Sequence, residues 1–184
     1  MPISFETFER VVLEDGDEHW ELVCGRLRKK PTMTAEHYGA IIAVARQLLL
    51  QLDPDRFTVR IDMSQVKAPV GSFYIPDLFV VSKAMERLQR RGIRGGLESY
   101  TEPLPLVVEA WSPSTGDYDV TSKIPEYQRR GDVEIWLIHP YERWLRAWRR
   151  QPDGSYTETL FTGETVIEPV ALPGVGVALA ALFE

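Results

Sequence analysis

The chain has 184 residues, 44% of them hydrophobic, which is enough for one domain with a substantial buried core. Its 27 acidic residues outnumber its 21 lysines and arginines, and the net charge of −6 argues against a protein that coats nucleic acid with its whole surface. The single cysteine, Cys24, excludes an intramolecular disulfide and a multi-cysteine zinc site.

The ends and the apolar runs of the chain bear on its location. The first residues lack the basic and then apolar pattern of a secretory leader, and no apolar run is long enough to span a membrane. The chain is therefore expected to be cytoplasmic and to have no membrane partner. No internal repeat is present, and residues 1–184 are predicted to form one domain.

The N-terminal part of the chain predicts two helices separated by two short strands. Ser4 is a suitable N-cap for the first helix, and the run WELVCGRLRKKP indicates the two strands. Thr34 can cap the longest helix, which is expected to continue to about Leu52. Its apolar positions recur at helical spacing: His37, Ile41, Val44, Ala45, Leu48 and Leu49.

The rest of the chain alternates strand-like runs with helical segments. Four strands are predicted: RFTVRID, YIPDLFVV, PLVVEAW and EIWLIHP. Helices are expected around residues 84–91 and in VTSKIPEYQRR. Three further runs predict C-terminal strands: RWLRAWRR, GSYTETLF and ETVIEP. The predicted fold class is α/β, with a mixed β-sheet flanked by helices and extended by C-terminal antiparallel strands.

Two carboxylates occupy strand positions where burial is expected. Because alternate residues of a strand share a face, Asp77 lies on the same side as Phe79 and Val81, and Glu109 on the same side as Val107. A buried ionised carboxylate costs several kcal/mol unless it is paired or binds a cation. If the two strands are neighbours, Asp77 and Glu109 face each other around a metal ion or a shared proton.

Lys123 is the third candidate for this site. Pro125 is tolerated only in the first turn of a helix, so Lys123 is expected near the positive end of the helix dipole. A cation is disfavoured there by about 0.3 to 1 kcal/mol, which suggests a functional reason for its position. An exposed lysine paired with Glu126 is an equal alternative from spacing alone.

Several motifs together resemble one known family. The runs ELVCG, PDLFVV and LVVEAWSPST, followed by Asp119, Lys123 and YQRRGDVEIWLIHP, resemble the Uma-two family of putative restriction endonucleases, a branch of the PD-(D/E)XK nuclease superfamily. The resemblance extends from about Glu21 to Phe183. It implies a restriction-endonuclease-like domain that hydrolyses DNA. In most of the superfamily the active-site lysine stands two residues after the glutamate; here that place is Trp111, and the family pattern moves the lysine to Lys123.

The resemblance also implies the metal and its ligands. Asp77 and Glu109 would hold Mg²⁺ or Mn²⁺, with the main-chain carbonyl of Ala110 as a further ligand. The ammonium of Lys123 would stabilise charge on the phosphate or orient the attacking water.

Three more positions are compared with the family pattern. Glu21 and His37 match family positions and would lie beside the metal or orient its water. The alternatives are an exposed strand residue for Glu21 and, for His37, a helix-face histidine paired with a neighbour. Arg26 replaces the family's second glutamate, at a position expected outside the metal shell.

Basic runs indicate where a nucleic acid would bind. The run RLQRRGIRGG contains no acid and is the candidate DNA-binding segment, through Arg87, Arg90, Arg91 and Arg94. RKKP at 28–31 and RWLRAWRR are further basic runs, although such runs are more often solvated faces. A homodimer is expected, since cutting both strands of a duplex commonly needs two sites and the tryptophan-rich C-terminal strands could supply an interface.

Two alternatives to a metal-dependent nuclease remain open. The first is a nuclease-fold module without catalytic activity that binds nucleic acid or a protein. The second is a glycosidase in which Asp77 and Glu109, roughly 5 to 9.5 Å apart, act as an acid/base pair. The glycosidase leaves Lys123 without a role.

Overall fold

A computed structural model of the chain describes residues 2–15, 18–69, 71–90 and 95–184, without the side chain of Arg90. The α-helices in these residues are α1 (Phe5–Glu14), α2 (Ala35–Gln51), α3 (Lys83–Arg90), α4 (Gly116–Tyr118) and α5 (Ile124–Arg130). A π-helical turn at Asp119–Lys123 joins α4 to α5, and a 3₁₀ turn covers Ala180–Leu182. None of the described helices combines the length and apolar content needed to cross a lipid bilayer.

Side-chain caps begin α1 and α2 where the sequence predicts them. The hydroxyls of Ser4 and Thr34 each accept a hydrogen bond from the main-chain N–H three residues later. The predicted apolar stripe of α2 is buried from His37 to Leu48, but Leu49 is 61% exposed. The prediction for Leu49 is therefore wrong: it lies on the edge of the stripe that turns to solvent.

The large sheet has the strand order β11–β10–β9–β8–β6–β3. Its strands are β3 (Phe57–Ile61), β6 (Leu78–Ser82), β8 (Leu106–Ala110), β9 (Glu134–His139), β10 (Trp144–Arg150) and β11 (Tyr156–Thr162). Neighbouring strands are antiparallel except β8 and β9, which are parallel. The helical residues 116–130 connect these two, because parallel neighbours need a crossover. The mixed sheet and its antiparallel C-terminal strands confirm the predicted fold class.

A smaller sheet contains the N-terminal hairpin and has the order β2–β1–β5–β4–β7. Its strands are β1 (Trp20–Val23), β2 (Arg26–Lys29), β4 (Gln65–Lys67), β5 (Phe73–Tyr74) and β7 (Ser99–Tyr100). A separate antiparallel pair joins β12 (Val166–Ile167) to β13 (Val177–Ala178).

The two faces of the large sheet bury different partners. On one face Val80 and Val108 belong to a core with Ile41 of α2. On the opposite face Phe79 and Val107 belong to a core that includes residues of α5 and of the small sheet. The odd-numbered positions of β6 and β8 therefore point into a layer between the large sheet, α5 and the small sheet. This is the layer that receives the two candidate carboxylates.

Two tryptophans in and beside the C-terminal strands are part of these cores. Trp136 is fully buried on the α2 face, and Trp148 is 8% exposed on the α5 face. Both side chains are therefore core residues, and the homodimer stays a prediction. Trp144 is partly buried against the same core as Trp148.

Residues 116–130 form one interrupted helix, in which Lys123 is not at the beginning. In the π-helical turn the N–H of Ile124 bonds to the carbonyl of Asp119, five residues earlier. The wide turn immediately precedes Pro125, which has no N–H to contribute to a regular helix. Lys123 is the N-cap of α5 and Pro125 lies in its first turn, as predicted, but the sequence did not predict that α4 and the π-helical turn precede it.

Gly116 allows this interrupted helix to begin against Trp111. A Cβ atom at Gly116 would lie 1.7 Å from Nε1 of Trp111. We expect Gly116→Ala to lower the free energy of unfolding by about 1 to 3 kcal/mol, because the ring or the helix start must move. Gly39→Ala is the matched control, since nothing lies within 4 Å of the added Cβ and this site is inside α2. It should stabilise the protein by up to about 1 kcal/mol.

Urea unfolding of the two variants beside the native protein measures both effects. Equal stability of the two alanine variants would contradict the steric role of Gly116.

Candidate active site

Asp77 and Glu109 lie at adjacent strand ends in the large sheet. The register that pairs Leu78 with Val108 continues to place Asp77 opposite Glu109. Residues directly opposite on one face of an antiparallel pair have Cβ atoms about 4.5 to 5.5 Å apart. Both carboxylates are 1% exposed. Oδ2 of Asp77 accepts a hydrogen bond of 2.8 Å from the main-chain N–H of Ala110, which ties the start of β6 to the end of β8.

Lys123 places its ammonium among three carboxylates. Its Nζ lies 3.1 Å from Glu21, 3.2 Å from Glu109 and 3.6 Å from Asp119. Burial opposes the charge, but these carboxylates raise the pKa of Lys123 well above its ordinary value. Lys123 is 3% exposed, so the alternative of an exposed lysine paired with Glu126 is wrong.

Glu21 reaches this cluster from β1. It is 1% exposed, and its Oε1 accepts a hydrogen bond of 3.0 Å from the main-chain N–H of Ile75. The same oxygen lies 3.1 Å from Nζ of Lys123. The alternative of an exposed strand residue is therefore wrong for Glu21.

His37 and Lys30 contact Asp77. Nε2 of His37, in the first turn of α2, lies 2.8 Å from Oδ2 of Asp77. Nζ of Lys30, just after β2, lies 2.8 Å from Oδ1 of Asp77 and also pairs with Asp62. Burial opposes ionisation, but Lys30 and His37 hold the pKa of Asp77 well below its ordinary value. The sequence analysis placed Lys30 only in a basic run and missed it as a buried group.

The pKa of Glu109 is shifted in the opposite direction to that of Asp77. Burial raises the pKa of Glu109 well above its ordinary value; Lys123 opposes this shift and Asp77 adds to it. The hydroxyl of Tyr127 donates a hydrogen bond of 2.6 Å to Oε1 of Glu109. The sequence analysis missed Tyr127, although it stands four residues after Lys123 and so on the same side of a helix. Neighbouring carboxyl groups with opposite pKa shifts are typical of catalytic sites.

One pocket is lined by all five residues predicted to be catalytic, Glu21, His37, Asp77, Glu109 and Lys123. Its lining also includes Arg28, whose guanidinium lies 3.1 Å from the centre of the Tyr118 ring. The arrangement brings acidic, basic and imidazole side chains together in a recess closed from most of the solvent. Carboxylates are the ligands that a hard cation prefers, and an ammonium can stabilise charge on a phosphate.

Of the predicted DNA-binding arginines, Arg87 has a described side chain, and it is not among the residues that line this pocket. Arg87 is exposed on α3, which packs against β6 and β7. Arg91 and Arg94 lie outside the described residues, as does the side chain of Arg90. Arg26 is exposed in β2 and likewise is not a lining residue.

Comparisons with known proteins bear on the family and the fold of the chain. The family model Uma2, described as "Putative restriction endonuclease", matches residues 5–180. The fold is similar to the crystal structure of a putative nuclease belonging to DUF820 from Anabaena variabilis, with a TM-score of 0.71 and 17% sequence identity over 89% of each chain. A likeness at this identity shows the fold alone. No curated protein matches the chain.

The raised pKa of Glu109 predicts how Glu109→Gln changes stability with pH. The folded protein keeps a proton that the unfolded chain releases near pH 4.5, so the native free energy of unfolding contains a contribution that falls as pH rises above this value. Glutamine removes this contribution. The stability of Glu109→Gln relative to the native protein should therefore rise with pH, by at most about 1.4 kcal/mol per pH unit.

Urea unfolding of both proteins in EDTA, at several pH values from about 5 to 8, measures this difference. Glu164→Gln, at an exposed turn, is the control and should show no such trend. A stability difference for Glu109→Gln that stays constant or shrinks with pH would contradict the prediction.

Proposed function

The chain belongs to the Uma2 family of putative restriction endonucleases, and from this premise we propose that it is a metal-dependent endonuclease that hydrolyses DNA phosphodiester bonds. The observation that carries the proposal is the convergence of Asp77 and Glu109 from neighbouring strands with Lys123 from the interrupted helix, in one pocket. These are the residue types that phosphodiester hydrolysis needs: anionic oxygens for a cation and an ammonium for the phosphate.

The donor set fits a hard divalent cation. Oδ1 of Asp77 and Oδ1 of Asp119 are buried oxygens that face ammonium groups, Lys30 at 2.8 Å and Lys123 at 3.6 Å. Within the described part of the chain, no three His, Cys, Asp or Glu side chains stand together as a ready set of metal ligands. Mg²⁺ commonly uses only one or two carboxylates and takes its other ligands from water and phosphate. Asp77 and Glu109 would hold Mg²⁺ or Mn²⁺ in this way, with the carbonyl of Ala110 as a further ligand.

When bound, the cation supplies positive charge to the scissile phosphate and lowers the pKa of a water molecule. The protein's own contribution is positioning and charge. Lys123 stands beside Glu109 and can neutralise the charge that develops on the phosphate. Glu21 and His37 line the same pocket and can orient the attacking water. Tyr127 fixes the rotamer of Glu109 through its hydrogen bond.

DNA binding has to rest on local cations, because the net charge is −6. Arg28, which lines the pocket, would contact a phosphate next to the scissile one. The segment with Arg87, Arg90, Arg91 and Arg94 is proposed as a second contact to the backbone. A homodimer would present two such sites to the two strands of a duplex.

Single substitutions in the pocket test the proposal. We expect Asp77→Asn, Glu109→Gln and Lys123→Met each to reduce Mg²⁺- or Mn²⁺-dependent nicking of supercoiled DNA by about 10² or more. Lys83→Met is the control, since Lys83 lies on α3 and pairs with Glu86 away from the pocket; it should keep nearly full activity.

The native protein should be assayed on duplex DNA, single-stranded DNA and RNA. Cleavage of RNA alone would overturn the choice of substrate. No cleavage of any substrate in the presence of bound metal would instead favour the catalytically inactive module that binds nucleic acid or a protein.

A further inference from the structure

Lys30 is a second buried lysine of the pocket, and no role has yet been assigned to it. It follows β2 directly, and its main-chain N–H bonds to the carbonyl of His19 at 2.7 Å. Its side chain is 6% exposed, whereas that of its neighbour Lys29 is 53% exposed. Lysine is almost never buried unless it is paired, so its partners indicate what it does.

The ammonium of Lys30 has two carboxylate partners at different depths. The inner partner is Asp77, at 2.8 Å and 1% exposed, and the outer partner is Asp62, whose side chain is 16% exposed. The outer carboxylate is held in place: the main-chain N–H of Asp62 bonds to the carbonyl of Asp77 at 3.1 Å, and Nδ1 of His19 lies 3.2 Å from its Oδ2.

The backbone of Asp62 is in an uncommon conformation. Its φ of 45° lies in the left-handed region, which is unfavourable for a residue with a Cβ atom. This conformation occurs directly after β3, beside the pocket and opposite the start of β6. The chain thus keeps a carboxylate at the pocket edge despite a conformational cost.

The position of Lys30 creates a competition. Oδ1 of Asp77 is the carboxylate oxygen that Lys30 contacts, while Oδ2 already receives the N–H of Ala110 and contacts His37. A divalent cation held by Asp77 would meet the ammonium at the same oxygen, and two like charges at such a distance repel strongly in a buried site. The ammonium also pairs with Asp62, so it can leave Asp77 and still have a carboxylate partner.

From this geometry we infer that Lys30 is a positioning residue that competes with the metal. It neutralises Asp77 in the metal-free protein; when a divalent cation binds, the ammonium is exchanged for the cation at Asp77 and keeps its ion pair with Asp62. The inference rests on the proposed function in one respect: it takes Asp77 to be a metal ligand. Asp62 is the acceptor that makes the exchange possible.

The test is Mn²⁺ affinity, measured by titration calorimetry without nucleic acid. Lys30→Met removes the competitor and should lower the Kd for Mn²⁺ by about tenfold. Asp62→Asn removes the carboxylate that pairs with Lys30 once Lys30 has left Asp77, and it should raise the Kd by about two- to fivefold. The double variant should bind like Lys30→Met, because Asp62 acts only through Lys30. Lys29→Met, the exposed neighbour, should leave the Kd unchanged.

Opposite shifts from the two single variants separate this role from a structural one. A lysine that only stabilises the pocket would give weaker Mn²⁺ binding when removed, and that result, or an unchanged Kd, overturns the inference. Thermal unfolding in EDTA shows whether each variant folds. If Lys30→Met does not fold, the test rests on Asp62→Asn, which should bind Mn²⁺ more weakly than the native protein.

The nuclease proposal can fail separately. If the native protein binds Mn²⁺ and both variants shift the Kd as expected, but the protein cleaves no nucleic acid, the nuclease activity is refuted. The exchange at Asp77 is then still supported. Cleavage that depends on Asp77, together with an unchanged Kd in Lys30→Met, would refute only the exchange. Absence of Mn²⁺ binding by both the native protein and Lys30→Met refutes the exchange.

Discussion

The pairing of buried carboxylates with two buried ammonium groups is the constraint on which the pocket depends. Strand register places Asp77 and Glu109 side by side next to an apolar core. Without compensation, each ionised carboxylate there would cost several kcal/mol. Lys30 compensates the first and Lys123 the second, and they come from different parts of the chain. The small sheet and the interrupted helix are therefore needed to complete a site that the large sheet only begins.

The opposite pKa shifts of the two carboxyl groups follow from this division. Asp77 has an ammonium, an imidazole and a main-chain N–H around it, so its ionised form is favoured. Glu109 shares its single ammonium with Glu21. One positive charge cannot stabilise several buried negative charges equally, so a proton remains on Glu109 to a higher pH. The difference between the two pKa shifts thus follows from the number of cations near each carboxylate.

Local sequence rules could predict the sheet positions of the site but not its cations. Strand periodicity was sufficient to place Asp77 and Glu109 on one buried face, because a period of two depends only on neighbouring residues. Lys30 could not be found this way, since a lysine in a basic run is expected to be solvated and its burial depends on Asp77, 47 residues later in the chain. Pro125 correctly indicated the first turn of α5, but the rule that proline begins a helix does not anticipate a π-helical turn before it.

The π-helical turn also explains how the lysine can be separated from the strand of the glutamate. Two residues after Glu109, the chain places Trp111, whose ring stacks on His139 at a centroid distance of 4.4 Å and packs against Gly116. A lysine there would lose this contact. The interrupted helix begins at the same tryptophan, and its wide turn ends at Lys123, where the ammonium reaches Glu109 at 3.2 Å. The chemistry requires an ammonium at a point in space, and the position of its Cα in the sequence is free to differ. Trp111 thus occupies the usual position of the lysine, and it also packs against the start of the helix that carries Lys123.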